Sequence, residues 1–168
     1  TAANIRAMFS DQKSTVISQV EAITKTRYIE EKSNQMIVRV DSGEEVVKPI
    51  KWNDELIGII ADSDFVIVSD YNKGFLTDKD ITIIGTLSPL SILDSKRKLT
   101  NNMVEDYDFI KLNEEEFKNN SRLSHNGIIV TLGAKGAEYQ NKLYKSPNPQ
   151  STIDVSGAGD TFTSAFIG

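Results

Sequence analysis

In the second half of the chain, apolar residues come in short unbroken runs separated by stretches of helical spacing. Residues 65–69, 91–94, 109–112 and 128–132 are such runs. A strand that is apolar on both faces belongs inside a parallel sheet covered on both sides. Between these runs, residues 54–60, 78–87 and 114–120 carry the periodicity of helices. Strand–helix alternation from Trp52 onward therefore predicts an α/β domain with a mainly parallel central sheet. Residues 137–144 break the pattern as a polar hairpin, and Pro147 and Pro149 mark a loop before a last apolar run at 161–167 that reads as a buried helix.

The first part of the chain has another texture. Ile5, Met8, Phe9, Val16, Ile17, Val20 and Ile23 are loosely spaced as in a helix, with a break near Ser10 and Asp11. Residues 24–41 mix charged and β-favouring side chains around a turn at Ser33 and Asn34, which predicts a two-stranded flap with one face in water. The chain starts at Thr1 and stops at Gly168 inside a predicted helix, so it reads as one partial domain: a flap at 24–41 and an α/β part at 52–168.

Open parallel sheets bind ligands beyond the carboxyl ends of their strands. Polar residues stand there in this sequence: Ser69 and Asp70, then Asp94, then Asn113, then Thr131 ahead of Gly133. Composition narrows the chemistry further. A net charge of −5 with no long basic run argues against nucleic acid as a partner, though a nucleotide needs only a few local donors. With no cysteine, disulfides, thiolate metal sites and Cys nucleophiles drop out. No apolar run approaches a membrane span and no signal peptide is visible, which fits a cytoplasmic protein.

Four segments carry candidate chemistry. Gly157-Ala158-Gly159-Asp160 precedes the last helix, where bare backbone amides and the helix dipole would form an anion site with a carboxylate beside it. A carboxylate next to a phosphate site makes sense as a base, so the loop points to phosphoryl transfer. It fits neither the Walker pattern nor a dinucleotide fingerprint, since Phe162 stands at the third glycine position. Lys111-Leu112-Asn113-Glu114-Glu115-Glu116 places Asn113 and Glu116 one turn apart at a strand end. That spacing makes a capping box, and it also suits hydrated Mg²⁺, which needs few protein oxygens. Thr131-Leu132-Gly133-Ala134-Lys135-Gly136 is a glycine turn able to admit a purine or phosphate, and Ser69-Asp70-Tyr71-Asn72-Lys73-Gly74 is a strand-end loop. His125, the one histidine, reads as a surface turn residue.

Together these segments resemble the ribokinase-like, or PfkB, carbohydrate kinases. Residues 154–162 resemble the family's C-terminal signature, 111–116 its Lys-Pro-Asn-x-x-Glu segment with Leu112 in place of proline, and 131–136 its nucleotide-side glycine loop. A narrower likeness runs through Thr26-Arg27-Tyr28, Gln35 to Asp41, Ser69 to Thr77 and Leu93-Asp94-Ser95-Lys96. It resembles the heptose 7-phosphate kinase branch, some members of which carry a fused nucleotidyltransferase domain.

The resemblance implies a three-layer α/β/α fold with a small β lid, and transfer of the ATP γ-phosphoryl group to a sugar hydroxyl. Asp160 would be the base, with Gly157, Ala158 and Gly159 amides around the transferred group. Lys111, Asn113, Glu116, Thr131, Gly133 and Gly136 would hold the nucleotide, and Asn113 and Glu116 would organise Mg²⁺. Asp70, Lys73, Arg39 and Asp94 would stand on the acceptor side. The resemblance leaves open assistance by a monovalent cation, a homodimer through the lid, and an acceptor other than a heptose phosphate, such as ribose or fructose phosphate. A nucleotide-binding module without turnover is the competing expectation.

Overall fold

The computed structural model describes residues 13–33, 35–146 and 158–167; for Ala158, Asp160, Ser164 and Ile167 it describes the helix backbone alone. The expected turn residue Asn34, the prolines 147 and 149, Gly157, and Ile5, Met8 and Phe9 lie outside the described residues.

A six-stranded sheet runs in strict chain order: β3 (Val66–Asp70), β4 (Ser91–Ser95), β5 (Phe109–Asn113), β6 (Ile128–Thr131), β7 (Ala137–Tyr139) and β8 (Lys142–Tyr144). The first four are mutually parallel, and β7 and β8 close the edge antiparallel. Sequential parallel strands joined by right-handed crossovers put their connecting helices on one face. The packing agrees. Ile81 and Ile84 of α2 (Asp78–Leu87) share a core with Leu56 and Ile60 of α1 (Asp54–Ala61), Met103 and Val104 of α3 (Asn101–Val104), and Val68, Leu93, Ile110 and Leu112 of the sheet. The alternate residues Ile67, Ile92, Phe109 and Ile129 point to the other face. There α5 (Ala158–Ile167) covers them with Phe162, and Phe166 meets Phe109 edge-on at 5.0 Å. The result is the expected three-layer α/β/α arrangement.

Capping explains where the helices begin. Thr77 and Asp80 make a reciprocal box at α2, and Asp80 also accepts from the Trp52 indole at 2.7 Å. Burial alone would raise the Asp80 carboxyl, but the bonds from Thr77 and Trp52 bring it below its ordinary value. On the same face Tyr107 lies against Gly85 and donates to the Ile81 carbonyl at 2.9 Å. Burial, with the Asp70 charge as a smaller cause, raises its phenol well above the usual range, so it stays a donor. Tyr107→Phe is expected to cost about 1 kcal/mol in urea unfolding, the net worth of one such bond.

The predicted hairpin forms through Gln140 and Asn141 at φ 50° and 60°, both left-handed, as a two-residue turn of primed type requires. Two expectations fail: the helix expected before residue 24 is absent from 13–23, and the flap expected to keep one face in water is exposed on both. Residues 13–23 form neither helix nor strand; Ser14-Thr15-Val16-Ile17-Ser18 is poor in helix formers, and Val20 is 96% exposed instead of packed. Helix α3, with four residues, is too short to show a period.

The flap pairs β1 (Thr24–Ile29) with β2 (Met36–Ser42) antiparallel and makes no ladder to the main sheet. Its register sets Thr26, Tyr28, Val38 and Val40 on one side, all exposed, and the ladder shifts by one residue before Ile29 meets Met36. Lys73 reaches Glu44 at its base at 2.6 Å, and Lys25 lies 5.4 Å from the centre of the Tyr71 ring. No helix among the described residues is long and apolar enough to cross a membrane.

Candidate active site

Parallel register brings the polar strand ends together. Asp94 on β4 is the lateral partner of Lys111 on β5, and the ammonium sits 2.7 Å from the carboxylate, both side chains nearly buried. Both lie on the α5 face, since Ile92 and Phe109 precede them at even spacing. The first turn of α5 rests on the pair: a Cβ on Gly159 would come 2.7 Å from Lys111 Nζ and 3.9 Å from Asp94 Oδ2. Glycine at this position lets the helix start approach the charges. Burial raises the Asp94 carboxyl above its ordinary value, and Lys111 offsets part of that.

One strand along, Asn113 is the lateral partner of Thr131 and caps α4 (Glu114–Asn119). Its side chain accepts from Glu116 N at 2.8 Å, and Glu116 Oε2 accepts from Asn113 N at 2.8 Å. The box holds Glu116 at the mouth of β5, with its other oxygen 3.1 Å from Lys96. Thr131 donates weakly to the Leu112 carbonyl. The glycine turn follows as a 3-10 segment, Gly133–Lys135, stitched by Leu132 N to Gly136 O at 2.8 Å. Lys118 and, as a smaller cause, Lys135 lower the Glu114 carboxyl, which puts this turn beside the start of α4. Gly136 has φ 106°, and a Cβ there would run into the Tyr144 carbonyl. Gly136→Ala is therefore expected to lose about 2–3 kcal/mol in denaturant titrations.

The four acceptor-side candidates separate. Asp70, 5% exposed, is spent inside the loop: Oδ2 accepts from Ser95 Oγ and Arg97 Nε, and Oδ1 from Asn72 N and Arg97 Nη2. Asp94 holds Lys111. Lys73 ties the flap base to Glu44, and Arg39 pairs with Asp41 on the flap itself. The structure thus groups Lys111, Asp94 and Gly159 in one cluster and Asn113, Glu116 and Thr131 in the next, with Arg39 and Lys73 apart. Sequence reading gave no site role to Arg97 and Ser95, the partners that bury Asp70, or to Lys96, which faces Glu116. Ser95 and Lys96 entered only within the Leu93–Lys96 likeness, and the one signal for Arg97 was polarity just after a strand. Among the described residues no three acidic or histidine side chains converge as a metal cage.

Comparison with known proteins decides the family. The pattern of the pfkB family carbohydrate kinases matches residues 13–168. The chain belongs to that family. It is 30% identical over 164 aligned positions to the bifunctional protein HldE of a Nitratiruptor species, a match covering 80% of this chain and 34% of that protein. A mutant of Escherichia coli phosphofructokinase-2 has a similar fold, with TM-score 0.64 and 15% identity over 97% of this chain and 64% of that one. The crystal structure of Sa239 is likewise similar, at TM-score 0.61 and 16% identity over 87% and 55%. The chain thus spans about a third of the length of its curated relative and less than two thirds of either structure. In pfkB terms the sheet is the ribokinase-like one.

Proposed function

We propose that this chain is the catalytic part of an ATP-dependent sugar kinase that transfers the γ-phosphoryl group to a hydroxyl of a sugar phosphate, with a heptose 7-phosphate as the leading acceptor. The observation that carries the reading is the seating of the α5 start on Lys111 and Asp94, beside the Asn113–Glu116 box, in a pfkB chain. The heptose acceptor draws support from the flap and strand-end segments and from the likeness to HldE.

Phosphoryl transfer asks for positioning and electrostatics more than covalent chemistry. Ala158 and Gly159 offer amides at the start of α5 to the transferred group, with Gly157 preceding them in sequence as the third donor of the proposal. Asp160, in the first turn of α5, takes the hydroxyl proton. Thr131, Gly133 and Gly136 border the nucleotide, and Lys111 adds positive charge beneath the phosphates. Asn113 and Glu116 suit Mg²⁺ as holders of its water shell: the box leaves lone pairs on Glu116, and a hydrated ion needs few direct protein ligands. Bound on the nucleotide, Mg²⁺ would neutralise phosphate charge. On the acceptor side, Arg39 and Lys73 supply charge from the flap and its base, while Asp70 and Asp94 shape the floor. The exposed apolar face of the flap, Tyr28, Val38 and Val40, would meet a second copy. A cytoplasmic location fits these substrates.

The test is ADP release by the intact protein over heptose 7-phosphates, fructose phosphates and ribose, beside calorimetry with ATP and Mg²⁺. Turnover is expected with a sugar phosphate and fastest with a heptose 7-phosphate. ATP binding without sugar-dependent ADP release on any acceptor would replace the kinase with a nucleotide-binding module.

A further inference from the structure

The described cations at the ends of β3, β4 and β5 differ sharply in their freedom. Arg97 is enclosed, its guanidinium bonded to Asp70, to Asp78 and to the Leu76 carbonyl. Lys111 is buried on Asp94, and Lys73 is drawn away to the flap base. Lys96 is half exposed. Its ammonium has a solvated contact with Glu116 at 3.1 Å and lies 5.6 Å from the centre of the Tyr71 ring. Solvated ion pairs and exposed cation–π contacts are both weak, so an arriving anion can displace either.

Position makes this freedom useful. Lys96 follows β4, the strand between β3 and β5. On one side stands Tyr71, which Lys25 of the flap also approaches, and on the other stands Glu116 of the nucleotide box. Lys96, Arg97 and Glu116 line one open groove there. The charges of Lys96 and Glu116 both reach Asp94, the carboxylate under Gly159. The lysine therefore stands between Tyr71 and the Asn113–Glu116 box, within electrostatic reach of the carboxylate under Gly159.

We propose that Lys96 exchanges Glu116 for the transferred phosphoryl group and contacts its oxygens during transfer. This rests on the kinase reading above. In that step the acceptor oxygen bonds to the γ-phosphorus as the bond from that phosphorus to the β–γ bridging oxygen breaks. The electron pair of the broken bond stays on ADP, and the hydroxyl proton goes to Asp160. Charge on the moving group spreads over its outer oxygens, where a mobile ammonium stabilises it without having to bind ATP tightly beforehand.

The experiment compares Lys96→Met and Lys96→Arg in the intact protein by steady-state kinetics, ATP calorimetry and thermal unfolding. Lys96→Met should lower kcat by about 10²–10³-fold. Its KM values should stay within about threefold, the signature of an interaction made in the transition state. Lys96→Arg should recover at least about tenfold of that loss by keeping the charge. Melting within about 3 °C of the parent would show that the fold is intact. A kcat within about threefold of the parent, or a loss confined to KM, would overturn the assignment of Lys96 while leaving the kinase reading in place. If the parent itself releases no ADP with any sugar, the kinase reading fails, and the role of Lys96 falls with it.

Discussion

Replacing Asp160 by asparagine is expected to lower kcat by about 10²–10⁴-fold, the usual worth of a positioned general base. ATP binding should stay within about threefold, because the side-chain shape is kept and only its capacity to take a proton is lost. The expectation follows from where the residue sits. Asp160 is the third residue of α5, directly after Gly159, whose bare Cα allows close approach to Lys111 and Asp94. On the proposed reading the helix start binds the transferred group, and a carboxylate residue there makes sense as the base for the acceptor hydroxyl. Single-turnover measurements would isolate the chemical step. A variant that retains more than about a tenth of the parent's rate would remove Asp160 from the mechanism.

The second large effect concerns stability. Breaking the Asp94–Lys111 pair from either side is expected to cost about 3–5 kcal/mol at neutral pH, because each single change leaves a buried charge without its partner. Asp94→Leu combined with Lys111→Met should cost much less than the two single losses together, since a buried pair replaced by apolar groups is often close to neutral. Equal costs for the double variant and the sum of the singles would show that the two groups do not act as a pair. The pH dependence has a definite sign. With its folded value raised by burial, Asp94 contributes stability that is complete below its unfolded value near 3.8 and is lost as pH climbs through the raised one. In Lys111→Met the lone carboxylate can escape by taking up a proton. That variant should therefore recover stability relative to the parent as pH falls, and Asp94→Asn should not. Urea titrations at about pH 5 and 7 would resolve the difference.

Much of this architecture could be read along the chain because it depends on local pattern. The runs at 65–69, 91–94, 109–112 and 128–132 became β3 to β6, and Asn113 with Glu116 formed the capping box that their spacing allows. Ion pairing could not be read in the same way. Asp70 with Arg97 and Asp94 with Lys111 stand 27 and 17 residues apart, and they meet only because strand register aligns them. A slip of one residue would turn each side chain to the opposite face. Single-residue polarity therefore marked Asp70 and Asp94 as groups at a ligand edge. It carried no sign that Asp70 is enclosed by Arg97 and Ser95, or that Asp94 is covered by α5. At 13–23, apolar spacing suggested a helix where β-branched residues resist one.

The flap offers a way to watch the protein at work. Two strands exposed on both faces, with no ladder to a larger sheet, have little intrinsic capacity to protect their amides. Deuterium should enter β1 and β2 long before β4 and β5, whose core side chains include Ile92, Leu93, Ile110 and Leu112. Whatever the ribbon closes on, a sugar phosphate below it or a second copy against its apolar side, should register as slowed exchange at 24–29 and 36–42. Dependence on sugar would identify the first and dependence on protein concentration the second, so the weakest element of the fold doubles as a reporter of occupancy.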